Sequence, residues 1–429
     1  MYKANYPDKP TRVRFRILAF VFINVVINYM DRTNIAVAAP ALSSELNLNT
    51  VQLGLIFSAF GWTYVASQIP GGILIDRFGP RVLYTITLIS WSVVTLFQGF
   101  IKGFAALFGL RLAIGVFEAP SYPINNRIVT GWFPDHERAS AIGFYTSGQF
   151  IGLAFLTPLL AIVQQYLGWR GLFIITGSVG IIWGMIWYFV YRDSSQHPDA
   201  NQAELDYIAD GTAKVSAAKP DLTWASFKQV FTSRKLWGVY IGQFAVTSTL
   251  WFFLTWFPTY LVKYRGLNFL KSGFLTSIPF LAAFAGVLLA GFFSDYLIKK
   301  GYSFGIARKT PIIAGLLLST AIVGANYVDS TPLIILCMSV AFFGNGLASI
   351  TWVFVSALAP QNLIGVTGGV FNFIGGLSSI VVPLIIGLLA KGGDFQSALL
   401  FIGSVAFLGA LSYIFIVGKV SPVKSALVS

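Results

Sequence analysis

Apolar stretches of about twenty residues recur twelve times along the chain, and that is the length a helix needs to cross a hydrocarbon core of about 30 Å. They fall near 14–38, 51–75, 82–101, 103–127, 138–163 and 169–191, then near 236–260, 268–294, 309–328, 332–357, 362–389 and 394–418. The pattern predicts an all-α membrane protein with twelve transmembrane helices. One hydrophilic segment breaks the rhythm at 192–235, where Arg192, Asp193, Asp199, Glu204, Asp206, Asp210, Lys214 and Lys219 gather. It predicts a linker between two six-helix bundles, 14–191 and 236–418, with a short surface helix over 201–210 and polar tails at 1–13 and 419–429. The polar, basic start and a first apolar run long enough to span predict no cleavable leader.

The bundles repeat each other. Gly72-Ile-Leu-Ile-Asp76 closes the second predicted helix, and Gly291-Phe-Phe-Ser-Asp295 closes the eighth, 219 residues later. Phe144, Tyr145, Gly148 and Pro158 on the fifth are echoed by Phe371, Asn372, Gly375 and Pro383 on the eleventh. Duplication of this kind predicts two pseudo-symmetric halves that rock around a site near the bilayer midplane. The alternative is chance recurrence of Gly and Pro, which are frequent in membrane helices.

Composition removes several function classes. Hydrophobic residues make up 56% of the 429 and charged residues only 10%, against roughly a quarter charged in a soluble protein. The bilayer must be the main solvent. The net charge of +13 invites a nucleic-acid partner, but 21 of the 29 Lys and Arg fall on the side of both termini, 6 on the other and 2 within spans. This positive-inside asymmetry predicts both termini in the cytoplasm and leaves no patch for nucleic acid. The single Cys337 lies in an apolar segment, and His136 and His197 lie in hydrophilic loops. No metal site, disulfide framework or imidazole-based enzyme is expected from such a set. A channel is disfavoured because the polar groups cluster in a few helices.

Only four ionisable groups of the Asp, Glu, Lys, Arg and His classes lie well inside predicted spans: Asp31, Arg32, Arg111 and Glu118, all in the first half. A charge at the centre of a span costs about 3 kcal/mol, so such residues normally face a cavity and are functional. Asn24, Asn28 and Asp31 share one stripe of the first helix, with Tyr29, Arg32 and Thr33 beside it; Arg111, Gly115, Glu118, Tyr122 and Asn125 share one stripe of the fourth. A carboxyl in a water-poor cavity can load and release a proton near neutral pH, whereas an arginine stays charged and its planar fork suits a carboxylate ligand. Two acids and two arginines therefore predict proton-coupled transport of an organic anion. The alternative is a pair of internal salt bridges that merely pins the first helix to the fourth. The second half offers neutral groups instead: Gln243, Asn345, Ser349, Thr351, Trp352 and Asn372, comparable to Tyr64 and Gln149 in the first half. These suit hydroxyl groups and the C–H face of a sugar-like chain, although each taken alone is equally a helix-packing hydrogen bond.

The loop Gly72-xxx-Asp76-Arg77-x-Gly79-x-Arg81 resembles the signature of the major facilitator superfamily, with a partial copy around Asp295. Tyr-Met-Asp-Arg-Thr-Asn (29–34), Phe-Glu-Ala-Pro (117–120), Asn-Asn-Arg (125–127) and the run 132–141 resemble the anion:cation symporter family, and the similarity extends to the twelfth helix through 148–158, 344–352 and 368–373. The resemblance implies the major facilitator fold in a bacterial inner membrane, working as a monomer without a cofactor. It implies proton-driven import of a sugar acid, D-galactonate or a close aldonate, with a hexuronate or glucarate as the alternative. It makes Asp31 and Glu118 the protonatable carboxyls, with Arg111 the partner of Glu118. It places Tyr29, Arg32, Tyr64, Gln149, Ser349, Thr351, Trp352 and Asn372 around the substrate, with Gln243 as a weaker match. Asp76, Arg77, Arg81 and Asp295 would belong to the cytoplasmic gate.

Overall fold

A computed structural model describes residues 9–210, 224–360, 363–418 and 420, and all regular structure among them is helical. In a bilayer no water satisfies exposed peptide groups, so a spanning chain must close its hydrogen bonds within helices. The first half holds α1 (Val13–Glu45), α2 (Thr50–Gln98), α3 (Phe104–Glu118), α4 (Ser121–Trp132) and α5 (Asp135–Val190). Two short helices follow, α6 (Gln202–Asp210) and α7 (Trp224–Thr232). The second half holds α8 (Arg234–Thr255), α9 (Phe257–Thr259), α10 (Phe269–Lys299), α11 (Phe304–Ser319), α12 (Thr331–Leu347), α13 (Trp352–Leu358), α14 (Ile364–Leu389) and α15 (Gln396–Leu411).

The helical runs α2 and α5 reverse inside themselves at Gly79 (φ 70°) and Gly168 (φ 68°). A positive φ costs glycine least, so each hairpin turns on one residue. Among the described residues nine helices are long and apolar enough to cross a membrane, and ten if α8 and Phe257–Tyr264, bent by 52°, form one span. The predicted 201–210 helix is present as α6; the rest of the predicted linker at 211–223, and residues 1–8, 419 and 421–429 of the predicted tails, lie outside the described residues.

The repeat is visible in the caps. The side chain of Asn49 accepts from Gln52 N at 2.9 Å to start α2, and Asn268, again 219 residues later, accepts from Leu270 N at 3.0 Å to start α10. Asn supplies the oxygen that the unpaired first-turn amides need.

α1 begins without a side-chain cap of its own. Glu204 of α6, fully buried, accepts from the backbone of Val13 and Arg14 at 3.2 Å each and from Arg14 Nη1 at 3.1 Å. A carboxylate there answers the positive end of the helix dipole. Arg14 also reaches Glu137 at the start of α5, and Tyr207 donates to Glu137 at 2.6 Å. The linker helix is thereby bound to the first half.

The halves meet at the ends of their helices furthest from the termini. α2 and α14 come so close that a methyl group on Gly54 would sit 2.7 Å from Pro383 O and 3.2 Å from Gly387 Cα. Trp256 donates to Pro383 O at 3.1 Å and meets Phe57 edge-on at 5.3 Å. Lys263 donates to Ser43 at 2.6 Å, joining the end of α1 to the segment after α9. One apolar core runs from the first half across this junction into Phe257, Ile386 and Phe395, while a separate core fills the termini-proximal end of the second half. The seam is shut on the termini-distal face.

Candidate substrate and coupling site

Three helices of the first half bring the charges together. α3 lies against α2 because Gly115 has no side chain: a Cβ there would stand 2.3 Å from Phe60 O. Thr63 fixes the register by donating to Leu112 O at 2.6 Å. α3 stops at Glu118 before Pro120, and Ser121 donates to the freed Glu118 O at 2.6 Å. This places Arg111 and Glu118 behind Phe60 and Tyr64, opposite Tyr29 and Arg32 of α1.

All four charged residues predicted inside spans are buried. Arg32 Nε donates to Glu118 Oε1 in a buried ion pair. Three rings surround the guanidinium: its carbon lies 5.0 Å from the Tyr29 ring centre, 5.1 Å from Phe60 and 4.9 Å from Tyr64. Ring faces are negative, so they partly replace the water that Arg32 has lost. Gln149 Oε1 accepts from Tyr29 OH at 2.8 Å, and Tyr122 OH reaches Tyr29 OH at 3.4 Å. The partner expected for Glu118 was Arg111; the structure gives it Arg32 instead. Arg111 stacks over Phe60 at 5.5 Å and feels the charges of Glu118, Asp31 and Arg32. Its Nε and Nη1 have no hydrogen-bond partner, nor have Arg32 Nη2 and Glu118 Oε2. Such groups cost about 1–3 kcal/mol each when left unsatisfied, so the cluster is poised to accept a further charged or polar group.

Asp31 faces the other way. It accepts from Trp91 Nε1 at 3.0 Å and from Asn34 Nδ2 at 3.4 Å, inside the first bundle. The two predicted carboxyls therefore occupy different environments, one in the arginine cage and one behind α1.

The second half presents its polar groups where α12 unwinds. Ala348–Thr351 forms a tight 3-10 turn between α12 and α13, with Ile350 outside helical geometry. Thr351 Oγ1 donates to Gln243 Oε1 at 2.8 Å. Ser349 is half-buried in the same turn, Trp352 is 45% exposed and packs edge-on against Phe371 at 5.3 Å, and Asn372 is exposed. The two sets adjoin at the seam: Phe60 meets Trp251 at 5.9 Å, and Gly376 lies against Val65 one residue from Gly375, which abuts Gln243. Asn345 does not join them. Its amide donates to Val246 O at 2.6 Å and ties α12 to α8.

The predicted gate residues lie at the other end, each tied within its own half. Arg81 Nε donates to Tyr188 O at 2.9 Å, Asp295 pairs with Arg308 at 3.0 Å, and Arg77 lies over Phe78. The side chain of Asp76 lies outside the described residues. Two contributors escaped the sequence reading. Phe60 underlies both arginines, and Trp91 holds Asp31; an aromatic residue in an apolar span gives no signal that separates such a task from packing.

Comparison with known proteins adds to the geometry. The sequence profile described as Major Facilitator Superfamily matches residues 21–383. The chain is 56% identical over 422 residues to a D-galactonate transporter of Escherichia coli O6:H1, covering 97% of this chain and 98% of that one. It is 41% identical over 428 residues to the probable galactarate/D-glucarate transporter GudP of Bacillus subtilis, covering 97% and 94%. Among solved structures it resembles a bacterial homologue of the human lysosomal transporter Spinster, with a TM-score of 0.76 at 18% identity over 95% of this chain and 97% of that one. A D-xylose-proton symporter gives 0.74 at 16% over 94% and 98%.

Proposed function

This chain belongs to the major facilitator superfamily, and from that premise we propose that it imports D-galactonate together with protons across the bacterial inner membrane. The observation that carries the coupling is the buried Arg32–Glu118 pair inside its aromatic cage. With its Nε held by the Glu118 carboxylate and its charge already offset, Arg32 is poorly placed to take a second carboxylate on its fork. Protonation of Glu118 removes its negative charge and frees Arg32 for the carboxylate of the substrate. Proton and anion then bind together, which is symport. Gln243, Ser349, Thr351, Trp352 and Asn372 across the seam serve the hydroxylated chain, with Tyr29, Tyr64 and Gln149 on the near side.

The choice of D-galactonate rests on the 56% identity to the E. coli carrier; a dicarboxylate such as glucarate is the reading that the 41% relative favours. Counting the reversals at Gly79 and Gly168 as separate hairpins, and the bent pair as one span, gives twelve crossings. Both termini then lie in the cytoplasm by the excess of Lys and Arg on their side. The junction shut on the termini-distal face supports reading this as an inward-open arrangement; in this reading the carrier works as a monomer, and Asp76, Arg77, Arg81 and Asp295 would close the opposite gate in the alternate state. Uptake of labelled D-galactonate into liposomes, with and without an imposed proton gradient, tests the proposal. Accumulation that ignores the gradient would refute it.

A further inference from the structure

Behind the arginine cage, two buried polar stripes face each other within the first half. On α1, Asn24, Asn28, Asp31 and Asn34 follow in steps of four, three and three. On α2, Trp91, Thr95 and Gln98 follow in steps of four and three, each fully buried. Such steps keep side chains on one face of a helix. The bond from Trp91 Nε1 to Asp31 Oδ2 shows that the α2 face points at α1. Asn34 Nδ2 bridges Asp31 to Thr176 Oγ1 of α5, at 3.4 and 3.2 Å.

Between Asp31 and the termini-distal surface this seam holds polar atoms without partners: Asn34 Oδ1, Thr95 Oγ1 and both ends of the Gln98 amide. Buried polar groups are normally satisfied by protein or by water, and a row of such atoms is what a chain of ordered waters requires. Unpartnered polar atoms continue toward the termini as well, at Asn24 Nδ2, both ends of the Asn28 amide and Tyr84 OH, but the two ends of the seam are closed differently. Toward the termini Tyr84 meets Trp187 at 5.1 Å, and Trp187 stacks on Tyr191 at 4.6 Å, all three buried. That end is plugged. Toward the other face Gln98 lies in the last turn of α2, beside Gly99 and the 61% exposed Phe100. The surface pair of Arg170 with Glu45 is close by, since Arg170 Nη2 donates to Ile101 O. From Trp91 to Gln98 the helix rises about 10 Å, a gap that three or four waters bridge.

We propose that Asp31 exchanges its proton with the termini-distal side through this seam, by way of Thr95 and Gln98, and not through the substrate cavity. The inference rests on the symport reading given above. A proton from water at that face forms the Asp31 O–H bond, and each water along the row passes one proton on and receives another. The Thr95 hydroxyl can donate and accept at once, while the Gln98 and Asn34 amides orient the waters. Arg111 and Glu118 of α3 are the charged groups whose field reaches Asp31, while its own hydrogen bonds run to Trp91 and Asn34. Proton and substrate then enter by separate doors.

The test replaces the polar atoms without changing bulk, in the full-length protein in liposomes. Thr95→Val with Gln98→Leu should slow gradient-driven uptake of D-galactonate at least about tenfold, while exchange of galactonate, which needs no net proton movement, stays within about twofold. Thr95→Ser with Gln98→Asn, which keeps the hydrogen-bonding groups, should retain uptake. Unchanged gradient-driven uptake in the Val/Leu variant overturns the inference and leaves symport standing. A parent protein that exchanges galactonate yet ignores the gradient overturns symport and the inference together. Should the Val/Leu variant lose exchange as well, Thr95→Cys in a Cys337→Ser background decides. Modification by a small charged methanethiosulfonate from the termini-distal side supports a hydrated seam, and no modification overturns it.

Discussion

The two halves share a fold and divide the chemistry unequally. The first half buries two acids and two arginines among aromatic rings, with an ion pair at its centre. The second offers a threonine, a glutamine and a tryptophan around one unwound turn, all uncharged. Charge held away from water is costly and responds to any change in its partners, whereas neutral hydrogen bonds exchange one partner for another at little cost. The half that carries charge is thus suited to couple transport to protons, and the neutral half to recognise which acid is carried. A duplicated scaffold allows this because each half can be altered without refolding the other.

Glu118→Gln attacks that division most directly. The amide mimics the protonated carboxyl but cannot cycle a proton, so gradient-driven accumulation should vanish while exchange of D-galactonate persists; Asp31→Asn should behave alike. Concentrative uptake by both variants would place the coupling elsewhere. Arg32→Ala comes next. Truncating one partner of a desolvated pair costs about 2–5 kcal/mol, so equilibrium binding of galactonate should weaken roughly thirtyfold or more, with Arg32→Lys in between. An unchanged affinity, with only the pH profile of uptake displaced, would reduce Arg32 to a tuner of the acids.

Substitutions in the neutral half should be milder and of another kind. Thr351→Val or Gln243→Leu removes one hydrogen bond worth about 1 kcal/mol, or about fivefold in affinity. Competition assays should show altered discrimination between D-galactonate and glucarate, with the proton dependence intact. Loss of coupling in either variant would break the division. The smallest effect on transport is expected from Asn345→Leu. It should lower the thermal midpoint through the lost bond to Val246 O and leave the half-saturating galactonate concentration unchanged.

The intramembrane charges were legible because their cost in lipid makes each one conspicuous. The short helix over 201–210 was legible too, and α6 occupies 202–210. Pairing was not legible. Spacing put Arg111 and Glu118 on one stripe of a single helix, yet Glu118 takes its partner from α1, because Gly115 lets α3 approach α2 and turns the carboxyl toward Arg32. Asn345 shows the converse. Its type and place suited a ligand, but its amide is used up by a neighbouring helix. What a side chain meets across a helix interface is set by interhelical distance, which periodicity along one helix does not contain.

At Gly54 and Gly387 the shut face of the seam rests on bare backbone. At this point the helices touch without intervening side chains, while Trp256 and Phe57 pack beside it. A methyl group added at Gly54 would meet a carbonyl oxygen and a Cα, neither of which can swing aside. It would act as a wedge felt only when that face is shut, displacing the resting population toward the opposite state. A ligand preferring that state then binds more tightly in proportion to the fraction gained. One carbon atom, on a helix contact outside the charged cluster, would turn a carrier into a trap that fills and does not empty.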